Sequence, residues 1–268
     1  MSEHLTQTFS EKLAKNQKIV FSEQKFITKR NFTGRLWYFW SLTVVAFMVF
    51  VIAPPILLVL GLIRRREWFY PFARWGARWW LRLCGARVVT KGLENLEPDK
   101  AYVFASNHRS YLDTAAMFAH TGKKMGLVAK KELLKVPVFG YGMQWVNILP
   151  IDRSNAERAY QTLEAVRKKI AEGVSFAIFA EGTRALPAEL MPFKRGAFSV
   201  ALETQTPIVP VAIKNSDYLM GKKTGVAYPG TIELVFLPPI ETAGLMVENG
   251  METLRDKTRA LIASELAR

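Results

Sequence analysis

AYVFASNHRSYLDTAAMFA, residues 101–119, decides how the rest of the chain is read. Ala101 to Ala105 is an apolar run with β-branched and aromatic members and reads as a buried strand. Thr114 to Ala119 reads as the first turns of a helix. Between them, NHRSYLD (Asn107 to Asp113) sets a histidine and an aspartate five positions apart at a strand-to-helix turn. Five steps along an α-helix amount to about 140° of rotation once whole turns are removed, so His108 and Asp113 cannot share a helical face. Ser110 resolves this as an N-cap, with Asp113 in the first turn, close to a capping box but with Asp for the usual Glu or Gln. His108 then lies in the loop before the cap, free to fold back onto the carboxylate as a base beside its orienter. The helix dipole alone also favours an acidic first turn, so the rest of the chain must separate the two readings.

Outward from this stretch, short apolar runs alternate with amphipathic ones from about Ala86. Strands are predicted at Ala86 to Thr90, Ala101 to Ala105, Met125 to Ala129, Asn147 to Ile151, Val174 to Phe179, Ile208 to Ile213 and Thr231 to Phe236. Helices are predicted at Asp113 to Ala119, Ala156 to Glu172, Phe193 to Glu203 and Met251 to Leu266. In Ala156 to Glu172 one face carries Ala156, Tyr160, Leu163, Val166 and Ile170, and Gly173 is placed to stop it. The alternation predicts an α/β domain over residues 86–268 with a largely buried sheet.

The 268 residues carry 37 Lys and Arg against 23 acidic side chains, a formal net charge of +14, which points to an anionic partner. One cysteine, Cys84, excludes an internal disulfide, and with three histidines (His4, His108, His120) no zinc-ligand spacing exists. Neither a metal nor a cofactor is expected. His120 precedes Gly122 at a helix end, where the terminal carbonyls favour it, and His4 lies in the polar tail of residues 1–35. That tail is basic, lacks the pattern of a secretory signal peptide, and is expected to be a short amphipathic helix or partly disordered.

Leu36 to Ile63 contains no charge over 28 positions, enough to cross a hydrocarbon core of ~30 Å as a helix. Trp37, Tyr38 and Trp40 fit an interfacial aromatic belt. Pro54 and Pro55 interrupt the run, and both flanks are basic: Lys25, Lys29, Arg30 and Arg35 before it, Arg64, Arg65 and Arg66 after it. Because the positive-inside rule disfavours exporting either flank, a hairpin turning at the prolines is preferred to a single kinked span. Either places the C-terminal domain on the cytoplasmic side of the cell (inner) membrane. Pro71 to Leu83 follows as an interfacial helix, with an Arg74, Arg78, Arg82 stripe beside Phe72, Trp75, Trp79 and Leu83. Residues 36–85 thus form a membrane-anchoring unit that accounts for much of the basic charge, and no nucleic-acid motif competes.

Three further segments resemble loop sites at strand ends, where ligands gather in open α/β sheets: Lys130 to Gly140 (KKELLKVPVFG), Ile151-Asp152-Arg153, and Phe179 to Arg184 (FAEGTR). With them the chain shows H-x4-D at His108 and Asp113, then Lys130-x-Glu132-Leu133 with Pro137 and Gly140, Ile151-Asp152-Arg153, Glu181-Gly182-Thr183-Arg184 and Val209-Pro210-Val211. These blocks, in this order over Leu93 to Ile213, resemble the glycerolipid acyltransferases, nearest to the 1-acylglycerol-3-phosphate acyltransferase branch.

The resemblance implies a single mixed-sheet acyltransferase domain flanked by helices and preceded by a membrane-associated helical motif. It implies transfer of a fatty acyl group from acyl carrier protein or coenzyme A to the hydroxyl of a lysophosphatidic acid, forming phosphatidic acid. His108 is then the general base and Asp113 its orienter. Backbone amides near Glu181 to Thr183 are candidate oxyanion donors, and Lys130, Arg153 and Arg184 would hold the phosphate. Gly182 and Thr183 complete that substrate loop, and Glu181 would orient a cation or the acceptor. A related enzyme for another lyso-lipid (a lyso-phospholipid or lyso-ornithine lipid) is the alternative. A non-catalytic scaffold binding anionic lipid explains Leu36 to Leu83 but not the His/Asp and Glu/Arg pairs, and a metal-dependent hydrolase has too few histidines.

Overall fold

A computed structural model describes residues 9–21, 31–152 and 154–268. Arg153 and His4 lie outside the described residues. Seven strands form one sheet in the order β2-β9-β8-β3-β6-β4-β5: β2 (Ala86–Lys91), β3 (Val103–Ser106), β4 (Met125–Lys130), β5 (Ile148–Ile151), β6 (Ser175–Phe179), β8 (Ile208–Lys214) and β9 (Gly230–Phe236). All neighbours are parallel except β8 and β9, so the sheet is mixed. β1 (Ile19–Val20) and β7 (Glu189–Leu190) pair separately.

Alternation along the central strand β3 splits the interior into two layers. Phe104 points into a core shared with α1 (Phe32–Leu62), α2 (Phe69–Leu83) and α3 (Leu112–His120). Val103 and Ala105 point into a second core, built with α5 (Ala156–Ala171), α6 (Gly196–Glu203) and α8 (Val247–Leu266). Two short helices not read from the sequence, α4 (Phe139–Trp145) and α7 (Ser216–Met220), complete the fold.

The helical unit before the sheet differs from the preferred hairpin at Pro54 and Pro55. Phe32 to Leu62 is one continuous helix, long and apolar enough to cross a membrane. A π-turn over Met48–Ile52, closed by Ala53 N donating to Met48 O, precedes the prolines, and Pro54 and Pro55 follow Ala53 at the start of the next α-helical stretch, where proline is tolerated. The chain does reverse, but later, between Ile63 and Trp68. There α2 returns alongside α1: Trp80 Nε1 donates to Ser41 O (3.1 Å) and Trp40 Nε1 to Leu83 O (2.8 Å). α1 also touches the α/β domain at both ends. Ala227 N donates to Gly34 O (2.9 Å) near its start, and Leu57 and Leu60 are buried near its finish. Its outer side, including Phe39, Phe47, Leu58 and Leu62, is exposed.

The Arg stripe of α2 also has a use that the surface-helix reading missed. Arg74 and Arg78 both donate to Ala119 O (3.2 Å each), closing the carboxyl end of α3. Trp75, Trp79 and Leu83 remain exposed. The tail, expected to be a short amphipathic helix or partly disordered, is helical over residues 9–14 and folded through residue 21, with Ile19 buried.

Candidate active site

β3, β6, β4 and β5 run parallel, so their carboxyl ends lie along one edge of the sheet. His108 follows β3, Glu181 follows β6, and Lys130 closes β4. At ~4.8 Å per strand, the end of β4 lies ~10 Å from that of β3. A lysine side chain bridges much of that gap.

His108 sits in the loop before α3, and Asp113 is the second residue of the helix. Asp113 Oδ2 meets His108 Nδ1 at 2.8 Å and accepts from the amides of Arg109 (2.7 Å) and Ser110 (2.8 Å). Ser110 Oγ accepts from Leu112 N (3.1 Å), which completes the reciprocal cap. The Asp113 side chain is fully buried while that of His108 is 14% exposed. Asp113 therefore fixes Nδ1 as the inward nitrogen and leaves Nε2 as the one able to take a proton. Phe179 stacks on the imidazole, its ring centroid 3.8 Å away, and braces one face of the ring. Asn107, given no role from sequence, ties the end of β3 to β8 by exchanging two hydrogen bonds with Ile213 (2.9 and 2.8 Å).

Glu181, expected among the acceptor-binding residues, turns inward. It is 1% exposed, and its two oxygens accept from His108 N (2.6 Å) and Met191 N (2.7 Å). It braces the histidine loop from within the core. Burial pushes its carboxyl up to about 8, outweighing the two amides that favour the charged form. The folded protein therefore holds a proton at Glu181 that the unfolded chain releases above its ordinary 4.5. Stability from that proton is complete below about 4.5 and is lost as pH rises to about 8. The Tm of the protein minus that of its Glu181→Gln variant should fall over this window and level off above it. A difference independent of pH would show an ionised carboxylate throughout.

Gly182 takes a left-handed turn (φ +70°), and its amide donates to Phe179 O (3.0 Å). That amide is already committed, which narrows the oxyanion donors expected from Glu181 to Thr183. Thr183 is exposed at the tip. The Arg184 guanidinium lies over the ring of Tyr111, 3.5 Å from its centroid, and no carboxylate pairs with it among the described residues. Its guanidinium edge is thus held in place and open to an anion. Lys130 is exposed, and Glu132, at 3.4 Å, is the one carboxylate that pairs with it among the described residues. Its neighbour Lys131 binds Asp152 (2.6 Å), and together with Ser154 holds that carboxyl well below the usual carboxylate range.

Beside α3, an apolar cavity of about 230 Å³ lies between the α1–α2 pair and the domain. Thr114, Ala115 and Phe118 line one wall, Met48, Ile52 and Phe72 another, and Val138, Phe139 and Met143 a third. The helix that presents Asp113 to His108 thus also walls a space suited to hydrocarbon. The sequence hinted at it only through the unbroken apolarity of Leu36 to Ile63.

Residues 87–214 match the Acyltransferase family. The match covers 128 of the 268 residues. The matched stretch contains every strand-end loop described above. The chain is 35% identical over 178 residues to an uncharacterized acyltransferase of Schizosaccharomyces pombe, covering 65% of this chain and 64% of that protein. It is 32% identical over 179 residues to the mouse (Mus musculus) 1-acyl-sn-glycerol-3-phosphate acyltransferase alpha, covering 66% and 62%. The chain thus spans slightly under two thirds of the length of these relatives. Its fold resembles that of the 1-acyl-sn-glycerophosphate (LPA) acyltransferase PlsC of Thermotoga maritima, with a TM-score of 0.73 at 20% identity over 86% of this chain and 94% of that one.

Proposed function

We propose that this chain transfers a fatty acyl group from acyl carrier protein or coenzyme A to the free hydroxyl of 1-acyl-sn-glycerol 3-phosphate, forming phosphatidic acid. The observation that carries this is the contact between a fully buried Asp113 carboxylate and His108 Nδ1 at 2.8 Å, beside an apolar cavity. His108 Nε2 takes the hydroxyl proton as the oxygen attacks the thioester carbonyl. The tetrahedral intermediate collapses, the carbon–sulfur bond breaks, and the imidazolium returns its proton to the departing thiolate. Asp113 stabilises the imidazolium between these events. Direct transfer requires no acyl-enzyme, and neither a metal nor a cofactor enters any step. Arg184, Lys130 and Arg153 hold the acceptor phosphate, and the cavity takes a fatty chain. The Thr183 amide is the candidate oxyanion donor.

Membrane association belongs to the same proposal. Because α1 is attached to the α/β domain at both ends, its exposed side is available to the bilayer along its length, and the basic flanks of the apolar run favour a site on the cytoplasmic side of the inner membrane. Acceptor and product then exchange with the membrane without crossing water.

A panel of lyso-lipid acceptors with one labelled acyl donor, read by product mass, tests the reaction. Phosphatidic acid is the expected product. Preferential acylation of a lyso-phospholipid or lyso-ornithine lipid would move the assignment to a related acyltransferase, and no transfer at all would favour the lipid-binding scaffold. Arg184→Ala should raise KM for the phosphorylated acceptor by about tenfold, the scale of one charge-assisted contact, with KM for the donor unchanged. Equal effects on both would remove Arg184 from the phosphate site.

A further inference from the structure

The segment upstream of the membrane helix has a place in the fold that its composition does not foretell. Residues 9–14 form a short helix, and β1 follows as the sole strand partner of β7 among the described residues. Asn16 exchanges two hydrogen bonds with the backbone of Phe193, Nδ2 donating to Phe193 O (3.0 Å) and Oδ1 accepting from Phe193 N (2.9 Å). Phe21 N donates to Ala188 O (2.9 Å). From the other side, the C-terminal helix α8 inserts Arg259, which is fully buried. Its guanidinium donates to the carbonyls of Lys12, Leu13 and Gln17, and no carboxylate lies within salt-bridge distance of it among the described residues. A buried cation whose Nη1 and Nη2 donate to three carbonyls of one peptide ties that peptide to the core, since its departure leaves both nitrogens as unpartnered as its Nε already is.

What this peptide holds is the outer side of residues 188–193. The inner side of the same segment holds the histidine loop. Arg109 Nε donates to Glu189 O (2.7 Å), and Met191 N donates to the Glu181 carboxyl that accepts from His108 N. Arg109 in turn lies over the ring of Phe21, 5.4 Å from its centroid. Residues 188–193 are thus clamped between the N-terminal peptide and the base. A two-residue strand has no rigidity of its own, so its place is set by what flanks it.

We propose that residues 9–21 are a positioning element of the active site, with Asn16 and Arg259 as positioning residues that act through residues 188–193 and Glu181 on His108. The kinetic part rests on the acyl-transfer reading given above; the structural part does not.

The test uses the full-length protein in membranes with Asn16→Ala, Arg259→Met and Arg259→Lys. Amide hydrogen exchange is followed in peptides covering residues 107–113, 188–193 and, as a reference, 86–91 in the distant edge strand. Turnover is measured with lysophosphatidic acid and a thioester donor well below Tm. Asn16→Ala and Arg259→Met should lower kcat by about tenfold with KM for the acceptor unchanged, as small displacements of a reacting group do. Exchange should quicken in 188–193 and 107–113 but not in 86–91. Arg259→Lys, which still donates to the carbonyls, should recover part of kcat. Wild-type kcat and exchange in 107–113 for both disruptive variants, or a lowered Tm with kcat intact, would overturn the proposal. Should Arg259→Met not fold, Asn16→Ala decides alone, because it deletes two hydrogen bonds and no buried charge. Should the wild type acylate no lysophosphatidic acid, the acyl-transfer reading fails, and exchange in 107–113 still decides the positioning role.

Discussion

Replacing His108 with alanine is expected to lower kcat by about 10²- to 10⁴-fold while leaving the fold and membrane association intact. A glycerol hydroxyl is a weak nucleophile at neutral pH and needs its proton removed as it attacks. Among the described residues no other imidazole can substitute: His120 closes α3, its Nδ1 3.3 Å from Ala116 O, and burial beside Arg74 and Arg78 lowers its affinity for a proton. His108 is also partly exposed and packs on Phe179 by one face only. Removing it opens a space at the surface, not a core void, so Tm should change little. Rate and membrane sedimentation measured on the same preparation check both halves. Robust turnover by His108→Ala would end the base assignment.

Asp113 should give a different signature depending on what replaces it. All three of its hydrogen bonds fall on Oδ2. Asparagine can place its carbonyl oxygen there and keep all three, losing the negative charge and setting its amide nitrogen at the Oδ1 position, which is buried without a partner. Asp113→Asn should therefore melt above Asp113→Ala yet lose about 10²- to 10⁴-fold in kcat, because the imidazolium formed during attack is no longer stabilised. Asp113→Ala removes the acceptor as well. Two buried amides then lack a partner, at about 1–3 kcal/mol each, and Tm should drop along with the rate. Thermal melts and single-turnover rates for the two variants separate charge from capping. Wild-type turnover by Asp113→Asn would reduce Asp113 to a helix cap.

The Glu181→Gln melts, the Arg184→Ala kinetics and the Asn16 and Arg259 variants address the shell around this pair. Together they ask whether the base is held from three directions: by Asp113 through Nδ1, by Phe179 through its ring, and by Glu181 through its backbone.

The parts of the site that were legible in advance are those whose contacts span few residues. His108 and Asp113 are five apart, and rotation per residue together with the capping preference of Ser110 forces the histidine out of the helix. The seven strands of the main sheet are legible because a largely buried sheet writes continuous apolar runs, whereas the two-residue strands β1 and β7 are too short to leave one. The element ends that slipped did so for tertiary reasons. Phe193 to Arg195 have helix-compatible residues, but α6 begins only at Gly196, because the Phe193 backbone is bound to Asn16 and Lys194 N to Ala180 O.

By itself, the sequence determined the α/β class, the apolar anchor, the H-x4-D pair and the cationic loops at strand ends, since each is a matter of local periodicity, length or spacing. Only the tertiary structure decided where the anchor turns, which way Glu181 points, what Arg74 and Arg78 cap, and that residues 9–21 sit behind the site. Those outcomes depend on partners far off in sequence: Asn16 and Phe193 are 177 residues apart, Arg109 and Asp217 108. No local pattern encodes such a meeting. It follows from the order β2-β9-β8-β3-β6-β4-β5 and from the need of each buried polar group to find a hydrogen bond.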